Sequence, residues 1–250
     1  GETIVFIPGI LGSLKTYEPV VNKLKDRYRC ITIELVGQGE TQFSQRTEPE
    51  HFSVEQHADD VCQLLEHLEI DSCHVVGLSY GSQVAICIAN RLPEIICDVI
   101  LLSALLPNKT HHYQNWNYLW SLCSYDLEQF TRIGIGLLFS EKFLGAFENP
   151  VNSIKSLYEP LTEEHFRAFR MNLASASKFD VQRCFEMIEN PTLCIHGEVD
   201  VIHPIKEMQN YLESLAKPVS TIILPDTGHG IHAEAPAEVG QEILDWLTGD

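Results

Sequence analysis

Basic residues are scarce in this chain: Lys and Arg number 17 against 35 Asp and Glu, a formal charge of -18 over 250 residues. A field of that sign repels nucleic acid and anionic lipid, so no nucleic-acid partner is expected. Long apolar runs are missing too. No stretch approaches the roughly 18 consecutive apolar residues of a membrane helix, so no membrane span is expected. No CxxC pair occurs among the eight cysteines. Cys30, Cys73, Cys97 and Cys194 fall in or beside strand-like segments, and Cys62 and Cys87 in helix-like ones. That scatter reads as reduced thiols packed in a reducing compartment. No signal peptide, internal repeat or low-complexity tract is visible, and a cytoplasmic setting is the expectation.

What is present has the order of an α/β domain. Thr3–Ile7 is a short β-branched run stopped by Pro8-Gly9, which predicts a buried strand and a turn. Further strands are predicted over Cys30–Leu35, Ser72–Gly77, Asp98–Ser103, Thr192–His196 and Thr221–Leu224. Helical spacing marks Tyr17–Tyr28, Tyr80–Leu92, Ile205–Leu215 and Ala235–Leu247. Another helix starts at Ser53, where Gln56 three residues on forms a capping-box signature. Gly37–Pro49 is polar and reads as a loop. Strands alternating with helices predict a mostly parallel sheet covered on both faces. One segment breaks the alternation: from 107 to 188 no convincing strand occurs, while Trp116, Leu119, Trp120, Phe130, Ile133, Leu137 and Leu138 recur at helical spacing. The expected organisation is a core of 1–106 and 189–250, with 107–188 inserted as a helical cap.

Gly77-Leu78-Ser79-Tyr80-Gly81 follows a predicted strand and opens a predicted helix. A GxSxG pattern alone arises by chance in about one chain of this size in ten. Its placement adds weight, because a strand reversing sharply into a helix needs small residues flanking a strained serine. Serine becomes a useful nucleophile only when a base takes its proton. His229, in the loop between the last strand and the last helix, is the favoured base, with His232 not separated from it by spacing. His57, His67, His111, His112 and His165 read as surface or cap positions. Asp200, at the turn after the penultimate strand, is the expected third member, and Glu198 is its rival. The order Ser, Asp, His differs from those of chymotrypsin and subtilisin. Two backbone N–H groups, of Tyr80 and Ile10, are the expected oxyanion donors, each typically worth about 3–4 kcal/mol.

With these residues in hand the chain resembles the α/β-hydrolase superfamily over essentially its whole length. The matching pieces are PGILG, GLSYG, HGEVDVIHP and GHGIHAEAP, in the expected order. The first loop departs from the family's usual His-Gly, having Pro8-Gly9, and the two antiparallel strands that commonly precede the first strand are missing. The resemblance implies a Ser-His-Asp mechanism without metal or cofactor, acting on ester or thioester acyl bonds. Dehalogenases and epoxide hydrolases of this fold carry Asp where this chain has Ser79.

The expected activity is hydrolysis of a carboxylic ester or acyl thioester through an acyl-enzyme on Ser79. Trp116, Trp120, Phe130 and Phe139 are candidates for lining an apolar acyl pocket. Rival readings are an acyltransferase, a hydroxyacyl-processing synthase or lyase using the same triad, and a ligand-binding receptor with slow turnover.

Overall fold

The computed structural model describes residues 1–41 and 52–249. Its centre is a six-stranded sheet in the order β2-β1-β3-β4-β5-β6, every neighbouring pair parallel. The strands are β1 (Thr3–Ile7), β2 (Arg29–Thr32), β3 (Cys73–Leu78), β4 (Ile96–Leu102), β5 (Thr192–Gly197) and β6 (Ser220–Leu224). In β1, β3 and β5 every residue is buried, which is why they read as unbroken apolar runs without alternation. Part of the Gly37–Pro49 segment, at 42–49, lies outside the described residues.

Successive side chains of one strand enter different layers. Val5 and Ile7 of β1, Val75 of β3 and Leu101 of β4 pack beneath α2 (Val54–His67), α3 (Tyr80–Arg91), α9 (Val181–Glu186) and α10 (Ile205–Glu213). Ile4, Phe6, Val76 and Ile100 face α1 (Glu18–Leu24), α11 (Ile231–Glu234) and α12 (Pro236–Thr248). Cys73, Cys87 and Cys194 are buried in these layers, burial pushing each thiol up to about 12, whereas Cys97 is exposed.

Between β4 and β5 the chain forms α4 (His111–Cys123), α5 (Leu127–Leu138), α6 (Glu141–Leu144), α7 (Pro150–Tyr158), α8 (Glu163–Lys178) and then α9. This insertion has its own apolar cluster, with Trp120, Phe130 and Phe169 in mutual ring contact beside Tyr113 and Leu137. The cluster includes Leu105 and Ile202, from loops at the C-terminal ends of β4 and β5.

Two local expectations change. Ser53 caps α2 by accepting from the Gln56 amide, but the Gln56 side chain turns to Asp60, so only half of the capping box forms. His57 is not a surface residue: it is fully buried, with Nδ1 3.0 Å from Tyr80 Oη. It sits among Val54, Ala58 and Val61 on the buried stripe of α2, where helical spacing outweighs its polarity.

Candidate active site

The direction of winding reverses between β1 and β3, and the crevice at such a switch point, beyond the C-terminal strand ends, is where open parallel sheets hold ligands. Ser79 lies there, between β3 and α3, with φ +52 and ψ -113. A non-glycine residue at positive φ is strained and persists only when its surroundings over-determine it. Gly77 and Gly81 explain how the turn closes. A Cβ at Gly77 would collide with the Gly81 carbonyl oxygen, and one at Gly81 with the Ile7 carbonyl oxygen.

His229 sits between β6 and α11, and Asp200 between β5 and α10. Their side chains meet: His229 Nδ1 is 2.7 Å from Asp200 Oδ2, and His229 Nε2 is 2.8 Å from Ser79 Oγ. A carboxylate only accepts, so Nδ1 carries the imidazole proton and Nε2 is left to accept from the serine hydroxyl. Asp200 is 4% exposed, and its other oxygen accepts from the Ile202 and His203 amides, both at 2.9 Å. Burial by itself would raise this carboxyl, but the adjoining His229 and these hydrogen bonds hold it below the usual carboxylate range.

Neither rival residue stands in this hydrogen-bonded line. Glu198 is exposed and accepts from the Asp226 amide. His232 lines the same cavity as Ser79, its ring 6.4 Å from that of Tyr17, and burial pushes it down to about 4. The Ile10 and Tyr80 amides, at the ends of β1 and β3, have no acceptor among the described residues.

Ser79 and His229 open into a cavity of about 240 Å³ bounded by Gly9, Ile10, Leu105 and the insertion. Trp120 and Phe139 line it; Trp116 and Phe130 do not. Phe130 is fully buried behind Trp120, stacked at 5.4 Å, and the Trp116 indole is directed at His112. Sequence reasoning missed Tyr113, Asn117, Leu157, Tyr158 and Leu173, all in the lining. Tyr113, Asn117 and Trp120 are spaced i, i+4 and i+7 along α4, a stripe that marked this face. Two histidines given no role, His196 and His203, are fully buried around Asp200. Among the described residues no three His, Cys, Asp or Glu side chains are grouped as metal ligands would be.

A family model described as alpha/beta hydrolase fold matches residues 2–132. The YugF protein of Bacillus subtilis (strain 168), described as an uncharacterized hydrolase, is 24% identical over 98% of this chain and 90% of its own. Among solved structures, MGS-M2, an α/β-hydrolase enzyme from a Medee basin deep-sea metagenome library, superposes with a TM-score of 0.88 at 22% identity, covering 99% of this chain and 89% of the other. A thermophilic esterase from Thermogutta terrifontis superposes with a TM-score of 0.82 at 23% identity, over 100% of this chain and 90% of its own.

Proposed function

The chain belongs to the α/β-hydrolase family, and from that premise we propose that it is a serine hydrolase cleaving a carboxylic ester or acyl thioester through an acyl-enzyme on Ser79. One observation carries this reading: the unbroken hydrogen-bonded line from Asp200 through His229 to Ser79, ending in an apolar cavity.

In this reading Ser79 Oγ attacks the substrate carbonyl as His229 Nε2 takes the hydroxyl proton. Asp200 stays ionised and stabilises the imidazolium. The Ile10 and Tyr80 amides donate to the oxyanion. Collapse of the tetrahedral intermediate breaks the bond to the leaving alcohol or thiol, which departs with the proton from His229. Water then attacks the acyl-enzyme, giving its proton to His229, and the carboxylic acid is released as that proton returns to Ser79. Residues 107–188 act as a cap over this chemistry, with Trp120 and Phe139 against the acyl chain. A reducing, cytoplasmic setting accords with the eight unpaired cysteines.

The test is intact-protein mass spectrometry after treatment with a fluorophosphonate probe. A single adduct on the parent and none on Ser79→Ala supports the reading. An unmodified parent, under conditions that label a control hydrolase, overturns it.

A further inference from the structure

Asp200 Oδ2 faces two imidazoles. His229 Nδ1 lies at 2.7 Å, and on the other side His196 Nε2 lies at 3.3 Å, with both His196 and Asp200 side chains fully enclosed. His196 is the penultimate residue of β5, so the sheet itself fixes its ring. The hydrogen bond of this Nε2 goes to the His203 carbonyl oxygen at 2.8 Å, so the carboxylate lies beside the N–H as an electrostatic neighbour. Both neighbours of Nε2 only accept, so this nitrogen must carry the proton. Nδ1 is then bare, and it has no hydrogen-bond partner among the described residues. Burial, followed by the opposing influence of Asp200, leaves His196 with a lowered pKa.

We propose that His196 is a positioning residue that acts on the base through Asp200, the positive edge of its ring stabilising the charge on the carboxylate oxygen that orients His229. This rests on the triad reading above. A carboxylate that loses the positive edge of a neighbouring imidazole is more basic and attracts a proton on the adjoining imidazole more strongly. With the His196 N–H in place, His229 releases its proton more readily, which keeps it available as a base at lower pH. The other titratable groups around the pair are His203, on the same loop as Asp200, and His232, on α11. Burial pushes each of these down to about 4, so neither changes charge across the neutral range.

The experiment compares the parent with His196→Leu and His196→Gln. Leucine fills the space without an N–H, and glutamine restores a donor. The acid limb of kcat/KM for an activated ester is expected to move to higher pH in His196→Leu by about half a unit, a roughly threefold change in proton affinity. His196→Gln should bring it back toward the parent. A limb unmoved in a folded His196→Leu protein overturns the proposal, as does an equal loss of activity at every pH. Imidazole 15N–1H correlation spectra of the parent give a reading that needs no substitution. His196 must appear as the neutral Nε2–H tautomer at pH 8, and an Nδ1–H tautomer sinks the idea. Titrating the His229 ring signals in both proteins reads the same shift without turnover, so a failed hydrolase assignment would not masquerade as a failed role for His196.

Discussion

Ser103 Oγ donates to the His229 carbonyl oxygen at 2.7 Å, tying the end of β4 to the loop that carries the proposed base. Ser103 is fully buried, has φ +46, and its own amide is held by the Ile195 carbonyl. Two more bonds hold the loop: the Gly228 amide donates to Glu234, and the Gly230 amide to the Leu138 carbonyl. Ser103→Ala should therefore lower kcat several-fold with little change in KM, because the imidazole loses alignment while the cavity is untouched. Steady-state kinetics on an ester substrate check this. An unchanged kcat would show that the other two bonds suffice.

Asp200→Asn should reduce kcat by about ten-thousandfold, since an amide can present the wrong atom to His229 and favour the wrong tautomer. Fluorophosphonate labelling of Ser79 should slow in parallel. If labelling and turnover both persist, another carboxylate must orient the imidazole.

Trp120 and Phe130 touch each other but should respond differently to truncation. Trp120→Ala enlarges the cavity and should shift preference toward longer acyl chains in an ester panel. Phe130→Ala removes a fully buried ring from the insertion's cluster and should cost about 3–5 kcal/mol in denaturant unfolding, with acyl preference retained.

His203 makes stability fall with acidification. Burial holds its imidazole down to about 4, against an ordinary 6.5. An unfolded chain takes up this proton before the folded one does. The stabilisation is complete above pH 6.5 and is lost as pH falls toward 4, amounting to about 3 kcal/mol. Urea unfolding at several pH values in this window should show the decline. His203→Gln, which keeps an N–H for the Pro107 carbonyl, should show a flatter one.

The strands were legible because a two-sided parallel sheet turns them into short apolar runs, and the end of β3 was marked further by the GLSYG turn. Their ends were read less well: Leu78 and Gly197 extend β3 and β5 beyond the predicted limits. The relation of Ser79, Asp200 and His229 could be read from their places after three strands, since parallel strands deliver their C-terminal loops to one edge. The cavity wall could not. Trp120 and Phe130 belong to the same apolar cluster, and which one meets the cavity depends on how α4, α5 and α8 pack across long sequence separations. His57 and His196 were hidden for a different reason. A buried histidine is identified by its partners: Tyr80 Oη comes to His57 from another helix, and Asp200, though only four residues after His196, meets it through the turn that follows β5, which no strand or helix period marks.

The place where the helical insertion leaves and rejoins the sheet has a consequence for grafting. β4 and β5 are parallel neighbours, so a transplanted segment would have to leave the C-terminal end of β4 and return to the N-terminal end of β5 at the opposite edge of the sheet. Strand register alone would make the exchange modular. Yet Leu138 and Ser140 of the insertion brace the His229 loop, the latter through Glu234, and Pro107 receives the His203 imidazole beside Asp200. A transplant that reproduces the cavity wall but omits these struts would exchange specificity and misalign the triad in the same step.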